Sequence, residues 1–350
     1  MSALMPEGLA SRPVEQLADG VPALGFNCVR LTYAVETIQR RNEIATSAAK
    51  STLSDVSYAK LMTNNPWITN STVWGCFQRL IEELAERRVM VILDNHISDA
   101  QWCCSLEDNQ RWFQKSRFPV QPWIDALTFV AGFVHDRTAV DPSYRYVVGM
   151  GLRNELMCWD PFTSVPQWRQ YMGQAAAAVH AANSDLLIVA GGLTMASQLD
   201  FIKKGRLEPR AKVVYEAHIY NEFYVHPGWV SFGQYPTCAY LKWFLTSRVG
   251  TVLDVPAPLW LSEFGFDVDT FDPANTSGPD NQWFLCIIEW LEQYDVDWSV
   301  WVLNGVYYDR DGQKDSHESF GVTTDDYRVK NAAFLDNLRR VMPVKAPDYV

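Results

Sequence analysis

No stretch of 18 consecutive apolar residues occurs in the chain, so no transmembrane helix is encoded. Basic residues are in short supply: 30 Lys and Arg face 41 Asp and Glu, a net charge of −11. That balance excludes nucleic acid or an anionic membrane as the main partner, because both require clustered cations. Met1 to Ala10 shows no basic start followed by an apolar run, so no signal peptide is legible. The seven cysteines include no Cys-x-x-Cys pair and no Cys/His spacing suited to zinc. They are expected to be mostly buried free thiols, with Cys103 and Cys104 each open to a distant partner in a secreted protein. Gly149-Met150-Gly151 and Gly191-Gly192 lack the continuation of a phosphate-binding loop and read as tight turns. No cofactor is expected.

Aromatic residues, by contrast, are abundant: 14 Trp, 15 Tyr and 17 Phe. A Trp-rich acidic surface suits flat ligands with polar edges, such as sugar rings. Along the 350 residues, short apolar runs alternate with amphipathic helical patterns. The runs are Phe26–Tyr33, Val89–Asp94, Tyr146–Leu152, Leu186–Ala190, Lys212–Ala217, Leu259–Phe264 and Trp298–Leu303. Being apolar throughout, they read as parallel strands buried on both faces. Helices are expected at Arg12–Leu24, Val73–Arg88, Trp123–Asp136, Trp168–Ala182, Asn281–Tyr294 and Val329–Val341. No linker divides the chain, so residues 1–350 are expected to form one domain, with 1–23 its incomplete N-terminal part. The fold class is α/β: a (β/α)₈ barrel that lacks its first strand, with a gap beside the Phe26–Tyr33 strand.

Six of the seven runs end in residues that can do chemistry. Arg30 lies inside the first, His96 follows Asp94-Asn95, and Asn154-Glu155 follows the third. His218 and Tyr220 end the fifth, Glu263 the sixth, and Trp301 lies in the last. In a barrel the C-terminal ends of the strands meet at one mouth, so these side chains are expected to converge. Two carboxylates across such a mouth are what glycoside hydrolysis requires: one protonated donor and one ionised nucleophile, their titrations pushed apart by their surroundings. Glu155 and Glu263 are expected about 5 to 5.5 Å apart, the spacing of a retaining mechanism. The histidines are isolated from one another in sequence, and Asp267, Asp269 and Asp272 lack the Gly and Glu of a calcium loop, so no metal site is expected.

In these positions the chain resembles glycoside hydrolase family 5. Arg30 matches the family's second-strand Arg, His96 its third-strand His, and Asn154-Glu155 the pair in which Glu is the acid/base. His218 and Tyr220 match its sixth-strand His-x-Tyr, Glu263 in Glu-Phe-Gly its nucleophile, and Trp301 its eighth-strand Trp. Trp102-Cys103-Cys104 resembles the fungal secreted members. The resemblance implies a retaining β-glycosidase, cellulase-like, acting as a monomer on a β-linked glycan outside the cell. Family members open with a first strand after a signal peptide, and neither is legible here. A second reading is a carbohydrate-binding barrel of weakened activity; within the family, β-1,3-glucan and mannan are the alternative substrates. Trp67, Trp102, Trp112, Trp159 and Trp229 are candidate sugar platforms, and the insertion between Ala34 and Asn70 is expected to shape one side of the cleft.

Overall fold

The computed structural model describes residues 4–103, 108–157, 161–221, 238–272, 274–275 and 279–342. Seven parallel strands form one sheet in simple chain order: β1 (Cys28–Ala34), β2 (Met90–Ile97), β3 (Val147–Gly151), β4 (Leu187–Gly191), β5 (Val213–Tyr220), β6 (Leu259–Gly265) and β7 (Asp297–Trp298). Every neighbouring pair is parallel and sequential in the chain. Such pairs require crossovers, and these are largely helical: α1 (Val14–Ala23), α2 (Val35–Gln39), α3 (Ala45–Thr52), α4 (Asp55–Asn64), α5 (Val73–Glu86), α6 (Val120–Thr138), α7 (Pro161–Ala182), α8 (Cys238–Phe244), α9 (Pro279–Tyr294) and α10 (Ala332–Leu338). α5 shows the local logic. Thr72 caps it by accepting from the Gly75 amide at 3.1 Å, and Val73, Trp74, Cys76, Phe77, Leu80, Ile81 and Leu84 form its buried stripe.

The sheet curls but does not close. β1 and β7 are its two ends and do not pair. Both line one cavity of about 1540 Å³, together with inward side chains such as Ile92, Val148 and Val189. The gap therefore lies beside β1, where the sequence puts it. The described residues before α1 form turns rather than a strand. They clip the two sides of the gap together instead. The Tyr308 amide donates to Glu7 at 3.0 Å, the Tyr308 hydroxyl donates to the Pro6 carbonyl at 3.0 Å, and Arg12 donates to the Asp326 carbonyl.

Three expectations need correction. The run Trp298–Leu303 is a ladder strand only at Asp297–Trp298; beyond it the Ser299 and Trp301 amides still reach Leu261 and Phe264 carbonyls, out of step by one residue. Gly149, Gly151 and Gly191 lie inside strands, not turns. An antiparallel hairpin, β8 (Val306–Arg310) with β9 (Gln313–His317), follows β7 and was not expected. Its turn is Asp311-Gly312 with φ of +54° and +84°, the left-handed pair that favours this dipeptide. The Ala34–Asn70 insertion is helical and packs on the hairpin, with the Ser54 hydroxyl donating to Asp315 on β9 at 2.5 Å.

Cysteine usage also departs from expectation. Cys238 and Cys286 are bonded, with Cα atoms 5.6 Å apart, and Cys103 is disulfide-bonded as well. Among the described residues, Cys28 and Cys76 are free. The Cys238–Cys286 bond ties α8 to α9 across 48 residues. Closing a loop of that length restricts the unfolded chain by about 4 kcal/mol in the chain-entropy model. Cys238→Ser is therefore expected to lower the melting temperature by several degrees in a thermal scan under oxidising conditions, and to make the scan less sensitive to added reductant.

Candidate active site

The strands aim their C-terminal residues at one place because successive inward positions are two residues apart. On β2 these include Asp94 and His96; on β5 they include Glu216, His218 and Tyr220. Arg30 reaches them from β1 and Glu263 from β6. All eight residues singled out from the sequence lie together.

Arg30 is the hub. Its side chain is 5% exposed. Nη1 donates to Glu263 Oε1, Nη2 donates to Asn154 Oδ1 at 2.9 Å, and Nη2 lies 3.1 Å from Asp94 Oδ2. Burial opposes its charge, but the carboxylates of Asp94, Glu216 and Glu263 more than compensate and raise its titration. Asp94 shows the complement. Burial alone would raise it; Arg30 and His96 instead hold it down at about 2.

His96 donates from Nδ1 to Asp94 Oδ2 at 2.7 Å and presents Nε2 to the Asn154 amide at 3.4 Å. Burial lowers its titration to about 4, which leaves the ring neutral and consistent with that tautomer. Its ring lies parallel to Trp301, 5.4 Å between centroids and 6° between planes. Trp301 itself is half-buried and lines the cavity.

Glu263 is gripped from two sides. Besides Arg30, the Tyr220 hydroxyl donates to its Oε2 at 2.7 Å. Burial, with Glu263 next to it, raises the Tyr220 phenol, so it stays a donor. Glu155 stands opposite, in a left-handed backbone conformation at φ +43° that is uncommon for a residue with a side chain. His218 Nδ1 lies 3.1 Å from Glu155 Oε1 and 3.6 Å from Glu263 Oε2. One ligating atom from each of Glu155, His218 and Glu263 falls within 4.8 Å of the others. One oxygen of each carboxylate thus lies within 4.8 Å of one of the other's, below the ~6.5 Å at which inverting pairs begin. The same three groups have a spacing that a cation could use. The guanidinium of Arg30 and the imidazolium of His218 already supply positive charge there, and a further cation would meet both.

One electrostatic expectation is reversed. The sequence reading has the surroundings of the proton donor raise it; Glu155 is lowered instead. Burial pushes it up, but the hydrogen bond and charge of His218, with Arg111 and Arg30 behind, pull it down further. His218 is raised: burial works against its charge, and Glu263 and Glu155 outweigh burial. The two side chains titrate as an interacting pair, each shifted toward its charged form by the other.

The tryptophan platforms are mostly anchors. Trp112 is buried and donates to Gln167 at 3.0 Å; Trp67 donates to Asn65 at 3.1 Å and packs on the core. Trp102 has Arg310 over one face at 4.2 Å and Tyr307 at its edge. Trp159 and Trp229 lie outside the described residues. Asp94 and Glu216 went unassigned from the sequence, although each precedes a site histidine by two and so shares its inward face.

The model of the cellulase family, glycosyl hydrolase family 5, matches residues 6–306. The chain belongs to glycosyl hydrolase family 5. This family 5 chain is 31% identical to a glycosyl hydrolase 5 family protein of Chamaecyparis obtusa over 98% of its own length, and spans 61% of that relative. It is 24% identical to an endoglucanase of Paenibacillus polymyxa, over 96% of this chain and 78% of the relative. Among solved structures, an endocellulase of Pyrococcus horikoshii in complex with cellotetraose has a TM-score of 0.74 at 19% identity, covering 97% of this chain and 89% of that one. The catalytic domain of the major endoglucanase of Xanthomonas campestris gives the same TM-score and identity over 97% and 90%. At such identities these structures establish a shared fold, a barrel of the (β/α)₈ class. No described helix is long and apolar enough to cross a membrane.

Proposed function

We propose that this chain is a retaining glycoside hydrolase that cleaves β-linked glucan in the manner of an endo-β-1,4-glucanase. The observation that carries the reading is the unequal environment of two closely set carboxylates: Glu263 between Arg30 and Tyr220, and Glu155 on His218. Glu263 attacks the anomeric carbon while the glycosidic C–O bond breaks, and Glu155 passes a proton to the departing oxygen. That proton comes from the Glu155–His218 pair. In the second half, Glu155 takes a proton from water, the water oxygen bonds to the anomeric carbon, and Glu263 leaves as the carboxylate. Asn154, fixed by Arg30 and His96, is placed to hold a sugar hydroxyl beside the reacting carbon. Trp301 offers its ring to the sugar.

The structural neighbours, endocellulases with a cellotetraose complex among them, support a β-1,4-glucan as substrate. Disulfides at Cys103 and Cys238–Cys286 support an oxidising, extracellular setting. The gap between β1 and β7 supports one further reading, a barrel whose cleft binds glycans with reduced turnover. One experiment separates the two: hydrolysis of an aryl β-cellobioside and of soluble β-1,4-glucan, with the anomeric form of the first product followed by NMR. Release of a β-anomer supports the proposal. Binding without hydrolysis moves the conclusion to the weakened barrel, and an α-anomer overturns retention.

A further inference from the structure

Beneath the two catalytic carboxylates lies a second pair of acids that the reaction as described does not use. Asp94 on β2 and Glu216 on β5 are both fully buried. Each is accommodated by a glycine opposite it on the neighbouring strand. Asp94 pairs in register with Gly151, where a Cβ would lie 2.5 Å from Asp94 Oδ1. Glu216 pairs with Gly191, where a Cβ would lie 3.2 Å from Glu216 Oε1. The two acid–glycine pairs lie on β2–β3 and β4–β5, offset by two residues because Gly151 itself pairs with Val189, in the interior of a parallel sheet that normally takes Val, Ile or Leu.

What these acids face is Arg30. Its Nη1 and Nη2 are committed to Glu263, Asn154 and Asp94, whereas Nε has no hydrogen-bond partner. Glu216 Oε2 stands 3.7 Å from Nε, and neither oxygen of Glu216 has a partner in hydrogen-bond geometry, although the Ser262 side chain is near enough to lower its titration. An unpaired donor and an unpaired carboxyl facing each other in a dry interior are costly separately and relieved by one short approach. We propose that Glu216 is a positioning residue that acts through Arg30, holding the Nε edge of the guanidinium so that Nη1 stays aimed at Glu263.

The two acids take different edges of the guanidinium, Asp94 the Nη2 side and Glu216 the Nε side. Asp94 is the ionised counter-ion. Glu216 is raised by burial, and Arg30 only partly offsets this. Either oxygen of Glu216 can accept from Nε, an edge of the guanidinium that neither Asp94 nor Glu263 occupies. The inference rests on the reading of Glu263 as nucleophile, but its first test does not require turnover.

The experiment follows the Arg30 Nε–H resonance in ¹H–¹⁵N spectra of the full chain, assigned with Arg30→Lys, alongside kinetics on an aryl β-cellobioside. In the wild type this proton is expected to exchange slowly with solvent. Glu216→Leu should speed its exchange about tenfold or more, and lower kcat by a similar factor with KM little changed, since a misplacement near 1 Å costs up to about 10²-fold. Glu216→Gln keeps a neutral acceptor and should restore both to within a few-fold of wild type. Should Glu216→Leu fail to fold, Gly191→Ala serves: its methyl crowds Oε1 from the β4 side, and it should shift the Nε–H resonance and lower kcat severalfold. Wild-type exchange and kcat in Glu216→Leu, or in Gly191→Ala where that is used, would overturn the proposal. So would a Glu216→Gln variant as impaired as Glu216→Leu, because charge rather than a neutral acceptor would then be required. If the wild type hydrolyses no β-glucan, the proposed activity falls while the Nε–H exchange still decides the role of Glu216.

Discussion

Glu263→Ala is expected to abolish turnover on every substrate, with a loss of about 10⁴-fold or more in kcat. The reason is the isolation of its carboxylate on one face of the sugar. Arg30 and Tyr220 hold it there, and no other carboxylate among the described residues is bonded to this pair of donors from that face. Glu216 lies a layer below, behind Arg30. Removing the side chain to Cβ leaves room for a small anion beside two retained donors, the guanidinium and the phenol. Azide is therefore expected to restore part of the activity on a β-glycoside with a good leaving group. Its nitrogen bonds to the anomeric carbon from the vacated face as the aryl oxide departs, which gives an α-glycosyl azide. ¹H NMR of the product reads the configuration. A β-azide from this variant would assign the nucleophile to Glu155.

Glu155→Ala should behave differently, and the difference depends on the leaving group. Natural glycans need a proton on the departing oxygen, and the loss there is expected at roughly 10² to 10⁴-fold. An aryl glycoside with an acidic phenol needs little protonation, so formation of the intermediate should survive within about tenfold. Azide then intercepts the ester on Glu263 and yields the β-glycosyl azide. The pH profile gives a second reading. Glu155, which delivers the proton, titrates as a pair with His218, whose titration lies above its usual 6.5. As pH rises through that raised value the pair loses its proton and the donor with it. Wild-type kcat/KM on a natural glycan should fall on an alkaline limb placed above 6.5. That limb should vanish in Glu155→Ala with the activated substrate. An unchanged limb would place the titrating donor elsewhere.

The strand order and the site were legible in the sequence for one reason: parallel strands buried on both faces tolerate few polar residues, so those present are conspicuous. Arg30 inside Phe-Asn-Cys-Val-Arg-Leu could not be a surface residue. The gap beside β1 was legible by counting. What stayed hidden depended on pairing in space. His218 lies 63 residues from Glu155 in sequence. Nothing local to Glu155 says that an imidazolium will reverse the effect of burial on it. Gly151 and Gly191 looked like turn residues because sequence does not show which side chain stands opposite on the next strand. Trp102 and Trp112 looked like platforms because an indole that packs under Arg310 and one that stacks on a sugar have the same letter. The β8–β9 hairpin was a missed signal rather than a hidden one, since Asp311-Gly312 was there to be read.

The open seam between β1 and β7 also bears on how this molecule comes apart. In a closed barrel the last ladder joins the two ends of the chain, and no strand leaves without breaking two ladders. Here all six ladders join neighbours in sequence, and the described ties across the seam are made by loops and side chains: the clip of Glu7, Pro6 and Arg12 onto Tyr308 and Asp326, Ser54 and Ser57 on Asp315, and the Phe26 ring against Trp298. The sheet is thus a ribbon bent round and fastened by loop and side-chain contacts instead of a ladder. Unfastening it frees β1 at the cost of a single ladder, while β3, β4 and β5 keep both of theirs. β7, the other end strand, is held by two register pairs against seven for β1, but β1 carries Arg30, so opening the seam on the β1 side releases the group that holds the nucleophile in place.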